Sequence, residues 1–467
     1  MNVRLKFLGA AGNVTGSSYL LEANEDKILI DCGLYQERDF RSRNWEPFPF
    51  DPSTVDAVIL THAHLDHCGL LPKLVKGGFN GNIFCTGATA EIARVILLDS
   101  AKIQEFDAAQ KKKRHKASSK KPKYPEKPLY TTEEAKEVFP LFTPVNYEES
   151  VGISKDLEFS LHDAGHILGS ATVKLKTTRG QGRTFLFSGD IGRWDRPVLR
   201  NPSTFKEADY IQIESTYGDR THEPSEQILD QLAKVINSTE KRGGNVVIPS
   251  FALGRAQEVL FYLNKLLIED KIPHLLVFLD SPMATEITKV FKRHADLYDR
   301  EMKKLTGASK SPFDFPSLKL VSDQADSKSI NHLKGTSVII SSSGMCTGGR
   351  IKHHLIHNIS RPESTVLFVG YQAKGTLGRE IVEGKDPVRI LGKDRKVKAG
   401  ITRLGGLSAH ADKEELMRWL SSVENQPRRV FVTHGEGEAV QEFVSRIKKE
   451  RDWPVASPSY GDEFDLT

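Results

Sequence analysis

The stretch THAHLDHCG, residues 61–69, decides how the rest of the chain is read. It sets His62, His64, Asp66 and His67, four metal-capable side chains, within six residues. Ahead of it runs Val55-Asp56-Ala57-Val58-Ile59-Leu60, a short apolar run of the kind that forms a buried strand. Side chains two apart on extended backbone share a face, so His62 and His64 can enter one cleft where the strand ends. Asp66 and His67 follow the strand and can turn back from the loop toward a second metal. Imidazole and carboxylate suit zinc, and open sites of this type keep a position for water.

Outward from that stretch, the same pattern of strand then ligand recurs. Lys27–Ile30 ends on Asp31, and Leu157–Leu161 leads into HDAGHILGS, with His162 and His166. Arg183–Phe187 leads into SGD and Asp190, and Arg429–Val432 into THGEGE and His434. Strands of one sheet would bring such ends to one edge. His62, His64, Asp66, His67, His166, Asp190 and His434 then suffice for two metals sharing a bridging carboxylate. His162, ahead of the GHILGS core, is expected to be structural or to stand behind a ligand. The chain opens on a hairpin, Val3–Leu8 and Ser18–Leu21 around the glycine-rich GAAGNVTGS.

Between Thr86 and Val151 helical spacing takes over, with Ile92, Val95, Ile96 and Ile103 marking a helix over Glu91–Gln110. It runs into KKKRHKASSKKPK at 111–123, with eight Lys or Arg in thirteen residues. That run is either a solvated loop or an electrostatic patch for a phosphodiester backbone. Thr131-Thr132-Glu133-Glu134 predicts a capped helix start. After Tyr210–Ile213 and ESTYGDR the character changes again. Strands over Asn245–Ile248, Leu275–Leu279, Val338–Ile340 and Thr365–Val369 are each followed by a turn and a helix, starting at Ala256, Glu286, Ile351 and Glu380. Four such units argue for a parallel sheet. Their turns, SSSGMCTGGR among them, expose helix N-termini suited to anions, and none carries the GxGxxG dinucleotide fingerprint.

The HxHxDH of residues 62–67, with GHILGS and SGD, resembles the metallo-β-lactamase superfamily; ESTYG, LSAHAD and VTHGE resemble the motifs of its β-CASP branch of nucleic-acid nucleases. The resemblance implies an α/β fold, an αββα sandwich over 1–215 and 386–467 with an inserted Rossmann-like parallel-sheet β-CASP domain at 216–385. Carried over by position, His62, His64 and His166 would hold one zinc, and Asp66, His67 and His434 the other. Asp190 would bridge them and Asp31 would stand behind, orienting a ligand. Within the branch the match is nearest to compact bacterial and archaeal ribonucleases akin to the pre-mRNA 3′-end cleavage endonuclease. No additional N-terminal RNA-binding domain and no long C-terminal extension are expected.

The activity this implies is two-zinc hydrolysis of RNA, endonucleolytic, leaving a 5′-phosphate and a 3′-hydroxyl. His410 would be the general acid, held by Glu214, with Asp66 and Asp190 completing the catalytic group. Ser343, Gly344, Arg350, Ser408 and His410 are the expected phosphate contacts. The partner would be single-stranded RNA, and a homodimer is compatible with the pattern. A thioesterase- or lactonase-like hydrolase, or a DNA nuclease, is the alternative. A silent RNA-binding subunit would need missing ligands, and none is missing. The net charge of +5 points only weakly to an anionic partner. The four cysteines are scattered, which suggests neither disulfides nor a cysteine zinc site, and Cys68 reads as a small buried residue. No apolar run reaches membrane-spanning length and no signal-peptide core opens the chain, so a cytoplasmic location is expected.

Overall fold

Val3–Gly9 and Ser18–Ala23 pair antiparallel as the hairpin expected, with Val3, Leu5 and Phe7 turned inward and Arg4 and Lys6 outward. The computed structural model describes residues 2–116, 125–178, 182–223, 227–306 and 311–466. The chain forms two compact units, the first being Met1–Asp195, Asn201–Thr221 and His410–Thr467. It carries two seven-stranded sheets. One runs in the order Glu463–Asp465, Val3–Gly9, Ser18–Ala23, Asp26–Ile30, Ala57–Ile59, Asn82–Cys85, Phe142–Pro144. The other runs Val455–Ala456, Arg429–Thr433, Tyr210–Glu214, Arg183–Phe187, Ala171–Thr177, Leu157–Asp163, Val151–Gly152. Phe7, Tyr19, Phe159, Phe187 and Phe431 pack between them and are fully buried. Each such ring stabilises the sandwich by about 1.5–3 kcal/mol relative to exposure. Helices Lys413–Ser421 and Gly437–Arg451 cover the second sheet with Leu416, Trp419, Phe443 and Ile447.

The ligand-bearing strand ends come from both sheets, not from one. Asp26–Ile30 and Ala57–Ile59 belong to the first; Leu157–Asp163, Arg183–Phe187 and Arg429–Thr433 belong to the second. Asp66 and His67 lie on a short helix, Leu65–Cys68, rather than in a loop. Farther on, the expected helix is Gly87–Lys116, which takes in the start of the basic run; residues 117–123 lie outside the described residues. Thr131 caps the next helix, its hydroxyl accepting from Glu134 N–H while Glu134 accepts from Thr131 N–H. Among the described residues no helix is long and apolar enough to cross a membrane.

The second unit, Arg196–Arg200 and His222–Ala409, holds a six-stranded parallel sheet in the order Leu318–Val321, Leu276–Asp280, Ser337–Ser341, Val246–Pro249, Thr365–Phe368, Gly400–Arg403. The four expected strands are its four inner ones, and those read as continuous apolar runs. The two missed strands, LKLV and GITR, lie at the edges, where partial exposure replaces the apolar run. Because Gly400–Arg403 completes this sheet, the unit extends to Ala409, beyond the expected boundary at 385. Two helices also start earlier than expected. Ser281 caps Pro282–Arg293, and Thr376 caps Leu377–Val382.

Asp280, at the end of Leu276–Asp280, is fully buried and accepts from Arg350 Nη1 at 2.7 Å, His354 Nε2 at 2.6 Å and Ser327 Oγ at 2.6 Å. Removing one partner of a buried charge network leaves the others uncompensated. Asp280→Ala is expected to cost about 3–5 kcal/mol of stability in urea denaturation. A loss below about 1 kcal/mol would show that the network is not structural.

Candidate metal centre and active site

Three histidines of the cluster, His62, His67 and His434, are each aimed by an oxygen behind them. Asp31 has φ 61° and a buried carboxylate, which accepts from Thr61 N–H at 2.8 Å, Ser17 Oγ at 3.0 Å and His67 Nδ1 at 2.7 Å. His67 Nε2 therefore faces the cluster. His62 Nδ1 meets Thr61 Oγ1 at 3.1 Å, and His434 Nδ1 meets Thr216 Oγ1 at 3.1 Å. His434 sits at φ 51°, its N–H donating to Ala10 O at 2.7 Å, so the glycine-rich turn holds a strained ligand in place. Such groups fix ring orientation and tautomer in metal sites. Thr61, Thr216, Ser17 and Ala10 went unread in the sequence. All four sit inside quoted stretches, but nothing in their spacing marks which oxygen meets which group.

Two donor sets result. His64 Nδ1 is 3.1 Å from His62 Nε2 and 3.2 Å from His166 Nε2, and Asp190 Oδ2 lies 3.3 Å and 3.4 Å from the latter two. In the other set His67 Nε2 and His434 Nε2 are 3.2 Å apart, Asp190 Oδ1 is 3.4 Å and 3.5 Å from them, and Asp66 Oδ2 is 3.7 Å from His434. Donors about 2.0–2.1 Å from a tetrahedral zinc stand roughly 3.3 Å from one another, so these are the edges of metal-sized tetrahedra. Asp190 Oδ1 is buried with no hydrogen-bond partner, which leaves an acceptor open to a cation between the two rings. The residues fit zinc.

Electrostatics agree with that fit. Burial, then the neighbouring imidazoles, lower His62, His64 and His166, His64 to about 3, leaving neutral rings with free lone pairs. Burial works against ionising Asp190, but the facing His434, His67 and His62 hold it well below the usual range. Burial also opposes protonation of His67 and His434, yet Asp190 outweighs it and raises both, so each would release a proton on taking a metal.

Beside the centre, His410 Nδ1 stands 3.2 Å from both oxygens of the fully buried Glu214 and 3.9 Å from Asp190 Oδ2. Ile191 fastens both partners: its N–H donates to Glu214 at 2.7 Å and its carbonyl accepts from Ala411 N–H at 2.7 Å. Burial would lower the pKa of His410, but Glu214 and then Asp190 raise it to about 9. His162 lies apart, bonded to Ser160 Oγ at 2.9 Å with its ring against Phe205. Cys68 is buried, its thiol directed at Ala63 O.

Known families match along the chain. The metallo-beta-lactamase superfamily matches residues 11–234, the Beta-Casp domain 256–381, and the Zn-dependent metallo-hydrolase RNA specificity domain 394–458. "Ribonuclease TTHA0252" of Thermus thermophilus is 38% identical over 93% of this chain and 94% of its own. This chain belongs to the β-CASP branch of the metallo-β-lactamase superfamily. "Transcription termination factor FttA" of Methanosarcina mazei is 32% identical over 96% of this chain and 69% of its own length. A crystal structure of a protein of unknown function from Enterococcus faecalis shares the fold, with a TM-score of 0.58 at 12% identity and full coverage of both chains.

Of the expected phosphate contacts, Ser343, Gly344, Arg350 and Ser408 belong to the second unit of this β-CASP protein, and His410 to the first. Arg350 is turned inward: besides Asp280 it donates to Ser322 O at 2.6 Å, so its guanidinium braces the loop it ends. Ser343 Oγ accepts from Thr347 N–H at 3.0 Å and shapes the same loop.

Asp31→Asn removes the charge behind His67. Zinc affinity is expected to fall about 10–100-fold, measured by competition with a chromophoric chelator. Unchanged affinity would refute the orienting role of Asp31.

Proposed function

We propose that this chain is a two-zinc ribonuclease that cleaves internal phosphodiester bonds of single-stranded RNA. The observation that carries it is the divided carboxylate of Asp190, one oxygen toward each donor set, with the Glu214–His410 pair alongside. Relatives named as a ribonuclease and as a transcription termination factor, and the RNA specificity domain at 394–458, support RNA as the substrate. His62, His64 and His166 would hold one ion, Asp66, His67 and His434 the other, and Asp190 both. Zinc there supplies Lewis acidity to a phosphoryl oxygen and a source of hydroxide near neutral pH.

The remaining work falls to the chain's own groups. Glu214 accepts at His410 Nδ1, which leaves Nε2–H to protonate the departing 3′-oxygen. With water as the nucleophile, the products are a 5′-phosphate and a 3′-hydroxyl. Asp31 keeps the His67 lone pair on the metal side.

His410→Ala is expected to keep its zinc while slowing cleavage roughly 10²–10⁴-fold, the usual worth of general acid catalysis. A nitrophenyl phosphodiester, whose leaving group needs no proton, should restore its rate. His434→Ala should lose zinc and stay inactive on both substrates. Zinc loss by His410→Ala, or no rescue, would overturn the assignment.

Glu214→Gln tests the pair through pH. The acid must be protonated to act, and Glu214 raises its pKa. Removing that charge lowers the pKa, so the alkaline fall in kcat should move to lower pH. An unmoved alkaline limb would mean that Glu214 does not tune the proton donor.

A further inference from the structure

Two large aromatic side chains of the second unit face solvent at the C-terminal edge of its parallel sheet. Phe251, two residues past Val246–Pro249, is 43% exposed, and Tyr371, three past Thr365–Phe368, is 55% exposed. Those strands are direct neighbours, so the rings rise from adjacent loops. Neither residue is needed by the metal centre or the proton donor.

The topology marks this edge independently. The connection leaving Val246–Pro249 crosses Ser337–Ser341 to reach Leu276–Asp280. The one leaving Ser337–Ser341 crosses Val246–Pro249 in the opposite direction to reach Thr365–Phe368. Right-handed crossovers send the two intervening helices to opposite faces of the sheet, so the chain leaves the two strand ends in opposite directions. Parallel sheets bind ligands at such switch points. Phe251 belongs to the first of these loops, and the second packs against its ring at Gly344.

The aromatic wall is built, not incidental. A β-carbon at Gly344 would stand 3.1 Å from the Phe251 ring, so this glycine lets its loop pack tightly against the ring, while the loop at Gly370 comes within ordinary contact distance of it. Gln372 Nε2 ties those loops together, donating to Gly344 O and to Gly370 O at 3.0 Å each. Gln372 is itself buried. A ring so backed loses little freedom on contact, which favours stacking on a flat partner.

We infer that Phe251 and Tyr371 form a stacking platform for unpaired bases of single-stranded RNA. The inference rests on the ribonuclease reading and deepens it. Stacking on rings tolerates any base, because every base has a π-face. Selectivity for unpaired strands follows, since paired bases keep their faces covered.

The test uses the zinc-loaded full chain and a phosphorothioate oligoribonucleotide carrying one 2-aminopurine, with an abasic oligomer of the same length beside it. Phe251→Ala and Tyr371→Ala should each weaken binding of the base-bearing strand about 5- to 150-fold and abolish part of the 2-aminopurine quenching at saturation. Both should bind the abasic strand as the parent chain does. Phe251→Trp should retain affinity and quenching, which a purely structural ring would not secure. Ile268→Ala, an apolar side chain 59% exposed on the same unit, serves as the control and should change nothing. Unchanged binding by both alanine variants, or an equal loss on the abasic strand, would overturn the platform. If the parent chain neither binds nor cleaves RNA, the ribonuclease reading fails instead; cleavage with unaffected variants sinks the platform alone.

Discussion

A buried carboxylate oxygen without a hydrogen-bond partner is the constraint on which the first unit turns. Asp190 lies among imidazoles with Oδ1 unpaired, a placement that costs several kcal/mol per ion unless a cation repays it. The surrounding structure makes such a cation the natural partner. Burial keeps His62, His64 and His166 uncharged, while Asp31 and two threonine hydroxyls occupy the nitrogens that must not face inward. Asp31 and His434 adopt left-handed backbone to achieve this, strain that sheet ends and the Ala10 carbonyl hold in place.

The same logic explains why two sheets meet at the site. One sheet's edge offers strand ends at about 4.8 Å intervals, in a row. Seven donors around two points need a second row facing the first. The sandwich supplies it, with Asp190 and His434 past strand ends of one sheet facing His62 and His67, which follow a strand of the other. Phe7, Tyr19 and Phe187, packed between the sheets behind this rim, fix their separation and so the donor distances.

How much of this was legible in the sequence depended on whether a local pattern carried it. The candidate metal donors stood out because metal chemistry restricts residue type and most of them follow an apolar run. His410 and Glu214 have no such run of ligands around them and rested on motif resemblance. The inner strands of the second unit were readable as apolar runs, whereas LKLV and GITR, half-exposed at its edges, were not. Arg350 shows what a local pattern leaves out. An arginine closing a glycine-rich turn suggested an anion clamp, and only the buried Asp280, seventy residues away, reveals where its charge is spent. Contacts of that range leave no spacing to read.

His64 meets the cluster through Nδ1, whereas His62, His67, His166 and His434 present Nε2. The five histidines written alike are therefore not chemically equivalent letters. The side-chain oxygen of asparagine sits as far along its chain as Nδ1, and that of glutamine reaches about as far as Nε2. Position 64 thus demands a short arm and the others a long one. Divergent copies of this centre would be expected to drift along different substitution routes at position 64 than at its neighbours, a distinction invisible to any pattern that records only residue type.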